Sequence, residues 1–381
     1  MLLVVACGGG GVPATPAAPT GGATSPSPGV PTPASEPPTQ TIPTSSSTDA
    51  AGPSPTSRPT AATTPGGPSA LAWSELSPAS GGPGAREDHT WTVAADGQSA
   101  LLFGGRRGNT EFNDLWRYDL VRDEWSLLRP RGTLPAARFG HTAVWVESTG
   151  LVVWSGQAGT RFFADVWAYD PLVDAWRELP STGDVPPARY GSCAGVGPDG
   201  RMWISHGFTA DAGRFSDTRA YDFVGGSWSD VTPVGDRPVE RCLHDCMWTP
   251  DGRLLVYAGQ TTGAPAIGDL WSYEPSAGTW SQAAQPEPEP RQLYALAQVG
   301  GTAFVFGGGG RDGEALSDLW LLDLGNMSWT RPELAGSAPG GRFGAAMITD
   351  EERDRVLLLG GKRGNRELAE LWQLDLGLQG S

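Results

Sequence analysis

The chain has 381 residues, including 54 Gly, 34 Pro and 16 Trp, with 18% charged residues and a formal net charge of −15. The Gly and Pro content excludes a helical bundle, because both residues break helices, and no third-residue Gly period marks a collagen. The acidic balance repels phosphates and disfavours direct nucleic-acid binding.

Residues 1–70 contain no Phe, Trp or Tyr, hold 15 of the Pro residues, and carry only Glu36, Asp49 and Arg58 as charges. Such a segment has little to bury and cannot offset its ordering entropy. Residues 8–70 are therefore expected to be a disordered Pro/Thr/Ser/Gly-rich tether. Ahead of it, Val4-Val5-Ala6-Cys7 resembles the lipobox of bacterial lipoproteins, in which the Cys is acylated. Six residues are too few for a basic region plus an apolar core. Residues 1–7 thus read as a truncated signal remnant, with Cys7 as the lipidation site. The resemblance implies an extracytoplasmic protein, lipid-anchored to the cell envelope. No later run of 18 apolar residues follows, so no further membrane-spanning helix is expected.

From residue 71 a unit of about 51 residues recurs. An Arg follows a Pro-containing turn at Arg86, Arg138, Arg189, Arg241, Arg291 and Arg342. A short apolar run then ends in Gly105, Gly156, Gly207, Gly259, Gly308 or Gly361. Next comes Asp114-Leu-Trp116, Asp165-Val-Trp167, Asp269-Leu-Trp271, Asp318-Leu-Trp320 or Glu370-Leu-Trp372, with a degenerate third copy, Asp217-Thr-Arg219. A second Trp stands at 125, 176, 228, 280 and 329.

These Gly, aromatic and Trp positions resemble the kelch repeat. The resemblance covers residues 73–381 and implies a β-propeller of four-stranded blades. The residues agree. Runs of four to six, rich in Val, Trp and Tyr and bounded by Gly, Pro or Asp, read as strands. Asp96-Gly97, Asp199-Gly200 and Asp251-Gly252 read as hairpin turns. The sixth unit stops short of its second Trp, while Trp73-Ser-Glu-Leu76 supplies that strand at the other end. The expected fold class is all-β: a six-bladed kelch-type β-propeller over 71–381, its last blade closed by the N-terminal strand as the outermost strand.

With strands a to d running from axis to rim, the b–c and d–a connections share one face, here called the top. The b–c loops carry eight basic against five acidic residues, whereas the opposite turns carry Asp96, Glu147, Asp199, Asp251 and 350–354. The top is therefore expected to attract anions better than the rest of the surface. The six repeat Arg (Arg86, Arg138, Arg189, Arg241, Arg291 and Arg342) would ring the channel mouth there. In some kelch domains similar to this one, Arg at this position binds acidic peptide side chains, and the guanidinium fork suits carboxylates. The competing reading pairs each Arg with the carboxylate of its own Asp-Leu-Trp step. Arg107, Arg161, Phe163, Arg214, Arg311 and Arg363 are the loop candidates.

His89, His141 and His244 share one slot of the repeat, which makes it first a packing position; His206 replaces the first Gly of a pair. Cys242, His244 and Cys246 suggest a metal cluster, but ligands two apart on a strand lie too far apart for one zinc ion. Cys193 is able to bridge to Cys242 or Cys246, or all three remain thiols. No metal and no cofactor is expected. Galactose oxidase-like enzymes share this propeller, yet their copper constellation does not appear here. The residues of kelch-type sugar epimerases and nitrile-specifier proteins cannot be placed on this chain either. The expected function is a surface-tethered, monomeric, non-catalytic binding or scaffold propeller whose top face engages a protein, peptide or acidic glycan. The alternative is an extracytoplasmic carbohydrate-active enzyme, a sugar oxidase or isomerase, on the same fold.

Overall fold

The computed structural model describes residues 71–283 and 287–377. The expected tether over 8–70 and the lipidation site Cys7 lie outside them.

Six antiparallel four-stranded sheets form six blades. Blade 1 runs Thr90–Val93, Ser99–Phe103, Leu115–Asp119, Glu124–Leu127 from axis to rim. Blade 2 runs Thr142–Val146, Gly150–Trp154, Val166–Asp170, Ala175–Leu179. Blade 3 runs Cys193–Val196, Met202–Thr209, Gly213–Asp222, Ser227–Asp230. Blade 4 runs Asp245–Trp248, Leu254–Thr261, Ala264–Glu274, Thr279–Ala283. Blade 5 runs Ala295–Val299, Thr302–Phe306, Leu319–Asp323, Ser328–Thr330. Blade 6 runs Phe343–Asp350, Arg355–Arg363, Leu371–Asp375, and ends on the N-terminal strand Leu71–Leu76. Trp73 faces Leu374 in that last pairing, so the closure expected from the missing sixth Trp is the one observed.

Strand position dictates composition. Strand b lies between two neighbouring blades and reads as a continuous apolar run: all five residues of Ser99–Phe103 and of Gly150–Trp154 are buried. Strand d faces solvent on one side and alternates, as in Glu124–Leu127. The d-strand Trp wedges into the blade before it. Trp176 meets Phe103 at 5.1 Å, Trp228 meets Trp154 at 5.3 Å, Trp329 meets Tyr257 at 4.8 Å and Trp73 meets Phe306 at 5.4 Å. Each partner is the strand b residue that directly precedes the Gly step. Aromatic pairs in offset or edge geometry add to the large area they bury.

Two features were not expected. The b–c connections are not open loops: most are hairpin extensions of the strands, such as Arg106–Arg107 against Thr110–Glu111. Short parallel strands from the preceding d–a connection also cover two rim edges. Thr182–Gly183 pairs with Ser227 and Trp228, and Leu334–Gly336 pairs with Leu71 to Trp73. Covering an edge removes a template for intermolecular pairing.

Candidate functional site

The repeat Arg stands in the segment that leads into strand a and reaches across its own blade to the carboxylate at the strand c step. Arg86 grips Asp114 with two bonds of 2.8 Å, Arg138 grips Asp165 at 2.7 and 2.9 Å, and Arg241 grips Asp269 with two bonds of 2.8 Å. Arg189–Asp217 and Arg291–Asp318 repeat the fork, and Arg342 Nη2 reaches Glu370 Oε2 at 2.6 Å. The same Arg Nη1 donates to the carbonyl of the first residue of the Gly step, for example Ser155 at 2.9 Å. The Trp of the step donates its indole N–H to the same carboxylate, as Trp116 does to Asp114 at 2.7 Å. Burial alone would raise the Asp165 carboxyl. The hydrogen bonds and charge of Arg138, with the Trp167 N–H, outweigh burial and hold it below the usual carboxylate range.

All six repeat Arg are at most 2% exposed. The carboxylate that suits each guanidinium fork comes from its own blade, the pairing of the competing reading, so the six guanidiniums are turned into the fold.

The second residue after each repeat Arg builds a ring around the axis. Asp88 donates its N–H to Gly344 O (2.9 Å), Gly344 to Leu293 (2.8 Å), Leu293 to Leu243 (3.0 Å), Leu243 to Gly191 (2.8 Å), Gly191 to Gly140 (2.9 Å) and Gly140 to Asp88 (2.9 Å). All six residues have positive φ, between 52° and 65°. This turns the backbone so that one blade donates to the blade before it. The circuit is closed.

Above the ring opens a cavity of about 470 Å³ at the mouth of the axis. Leu243, Leu293 and Phe343 line it with Gln260, Gln292 and Arg363. The Gln292 Oε1 is buried there without a hydrogen-bond partner. On the blade 6–blade 1 side, buried Glu87 accepts Lys362 Nζ at 3.0 Å and pairs with Arg106 at 3.1 Å, and Arg106 also meets Asp88 at 3.3 Å. Arg106 lies over the Phe139 ring at 4.2 Å. Burial first, then the neighbouring Glu87 charge, raises the Asp88 carboxyl against the pull of Arg106 and Lys362.

Of the loop candidates, Arg363 lines this cavity; it is exposed and donates Nε to Gly341 O at 3.0 Å. Arg107, Arg161 and Arg311 are exposed on the top face outside the cavity. Arg214 reaches from blade 3 to Gln260 Oε1 on blade 4 at 3.0 Å. Phe163 lies inside the fold rather than on the open face. It is 4% exposed, lying under Arg138 at 4.2 Å and Arg161 at 4.9 Å, so its ring is covered by guanidinium. Sequence reasoning missed Glu87 and Gln292. Both occupy the slot after the repeat Arg, where Phe139, Tyr190 and Phe343 stand in other blades, and that break in the pattern was the available signal.

Below the ring the histidine slot bridges blades, as a packing position does. His141 Nε2 meets Thr90 Oγ1 at 2.9 Å, and Tyr294 in the same slot donates to Tyr257 O at 2.8 Å while accepting Asp245 N–H at 2.9 Å. Burial, reinforced by the Arg86 charge, pushes His89 down to about 3. Cys246 forms a disulfide with Cys193, which joins the inner strands of blades 3 and 4. Cys242 is buried with its Sγ 3.8 Å from Gln260 Oε1.

The family model described as the KLHDC2/KLHL20/DRC7 Kelch-repeats domain matches residues 68–251 and 225–379. The chain is 28% identical to a leucine-zipper-like transcriptional regulator 1 homolog of Drosophila melanogaster over 68% of its length and 28% of that protein. It is 26% identical to the N-(sulfonatooxy)prop-2-enimidothioate sulfolyase of Thlaspi arvense over 74% of its length and 89% of that protein. It is also 26% identical to the Rab9 effector protein with kelch motifs of Xenopus laevis, over 48% of its length and 53% of that protein. Several relatives are longer proteins, of which the chain spans 28–39%.

Proposed function

The chain belongs to the kelch-repeat family of β-propellers, and we propose that it is a non-catalytic protein-binding propeller whose partner enters the top-face mouth. The observation that carries this reading is the cavity of about 470 Å³, in which Leu243, Leu293 and Phe343 stand beside a buried, unpartnered Gln292 carbonyl, the Glu87, Arg106 and Lys362 charges and an exposed Arg363. Concave, mostly apolar sites with a few placed polar groups are where ligands gain both area and orientation. A Rab9 effector among the relatives is consistent with protein binding on this fold. The ligand is a peptide segment or an acidic glycan chain, drawn by the basic top loops. The propeller acts as a monomer, held outside the cytoplasm by a lipid on Cys7 and the 8–70 tether. The Cys193–Cys246 disulfide supports an oxidising compartment.

The test is an unbiased partner-protein and glycan screen with the full chain, followed by Gln292→Leu and Arg363→Glu. Both variants are expected to weaken the captured ligand at least tenfold while the melting temperature holds. Unchanged binding rejects the mouth as the site.

A second reading, an enzyme on the same propeller, is favoured by the sulfolyase relative, which the chain covers almost fully. It includes the sugar oxidase or isomerase alternative. Stoichiometric copper or iron in the purified protein, or turnover of a sugar substrate, would decide for it.

A further inference from the structure

Below the ring of backbone hydrogen bonds lies a separate cavity of about 290 Å³, walled by the inner strands of all six blades. Asp88, Asp245 and three histidines line it, and no Lys or Arg does. Both ring nitrogens of His89 and both carboxylate oxygens of Asp88 are buried without a hydrogen-bond partner, and buried His244 faces the Ser205 backbone. His89, His244 and Asp88 are 6%, 6% and 7% exposed. Arg106 approaches Asp88 from the mouth side at 3.3 Å. Asp245 accepts only the Cys246 N–H, at 3.1 Å. Burial pushes its carboxyl up to about 7 and keeps the histidines neutral. A neutral imidazole presents one lone pair and one N–H. The wall therefore offers two carboxyl groups that lack a countercharge on the cavity side, together with imidazole acceptors, and Leu243, Leu293 and Met347 form its apolar part.

We propose that this axial cavity binds a small organic cation bearing a primary ammonium group, with the Asp245 carboxylate as its ion-pair partner and His89 and His244 as hydrogen-bond acceptors. An ammonium supplies three N–H donors and the counter-charge that a buried carboxylate requires. A metal ion fits less well: among the described residues no three His, Cys, Asp or Glu side chains gather to hold one. The volume equals that of about ten waters at roughly 30 Å³ each, room for a short alkyl chain. Leu243 and Leu293 also line the mouth cavity, so the two spaces meet at the ring. Gly140, Gly191 and Gly344 put no side chain there.

The chain has four histidines, all buried: His89, His141, His206 and His244. Ring-labelled histidine NMR on the full chain therefore reports on these buried sites alone. Titration with n-butylammonium is expected to shift the His89 and His244 resonances saturably. Tetramethylammonium, which has no N–H donor, is expected to leave them unmoved. Asp245→Asn should weaken n-butylammonium at least tenfold. If that variant does not fold, Asp88→Asn carries the test: Asn suits the left-handed backbone at φ 55° and should weaken binding severalfold. No saturable shift, equal shifts with tetramethylammonium, or parental affinity in the folded variant overturns the proposal.

Discussion

Arg219 Nε donates to Asp217 Oδ2 at 3.0 Å, the place an indole N–H holds in the other five blades. The degenerate third step has changed residue and kept the donor, because the carboxylate gripping buried Arg189 needs a second N–H to stay satisfied. Removing that carboxylate strands a guanidinium that is 0% exposed. Asp217→Ala is expected to cost about 3–5 kcal/mol in denaturant unfolding, whereas Arg219→Trp, which restores the common step, should stay within about 1 kcal/mol of the parent.

The second position of the Gly step is Gly in all six blades, while the first admits Ser155, His206 and Ala258. Gly259 has φ 105°, and a Cβ there would lie 2.8 Å from both the Cys242 carbonyl and His244 Cβ. Gly259→Ala should therefore lose about 3 kcal/mol. Ala258→Gly, at φ 58°, should change stability by no more than about 1 kcal/mol.

The Cys193–Cys246 disulfide closes a 53-residue separation between adjacent inner strands. The chain-entropy account gives about 4 kcal/mol as its contribution. Reducing agent, or the Cys193→Ser/Cys246→Ser pair, should lower the melting temperature without changing the far-UV spectrum of the remaining folded protein. An unchanged melting temperature would show that the bridge adds no stability.

Two sets of groups drive stability with pH in opposite directions. The four histidines are buried neutral, with folded values lowered from the ordinary 6.5. Unfolding lets each take a proton, so their contribution is full above about 6.5 and falls away as pH drops below it. Asp245 does the reverse. Its folded value of about 7 exceeds the unfolded value of about 4, so stability is lost as pH rises between the two. Asp245→Asn should be more stable than the parent at pH 8, and the gap should close by pH 4. Urea titrations at the two pH values check the sign.

The blade count, the closing strand and the Arg-carboxylate alternative were legible in the sequence, because Arg86 to Arg342, the Gly steps and the two Trp series recur at fixed spacing. Spacing encodes strands and packing. It does not encode where two blades' backbones meet, so the ring through Asp88, Leu243 and Leu293 left no compositional trace. Nor did the parallel edge strands Thr182–Gly183 and Leu334–Gly336, which are short and carry little β-propensity. Phe163 reads as an exposed loop aromatic until the guanidinium of Arg138 is seen above it. The candidate site was the least legible part, since it is made where the repeat is broken, at Glu87, Gln292 and Lys362.

The central claim is that the top-face mouth is where a protein partner binds. Its most direct measurement is the affinity of the partner captured by the full chain for Gln292→Leu and Arg363→Glu, set against Arg107→Glu on the same face outside the cavity. The expected result is a loss of at least tenfold for the two mouth variants and near-parental binding for Arg107→Glu, all at unchanged melting temperature. Equal binding by all three would contradict the claim.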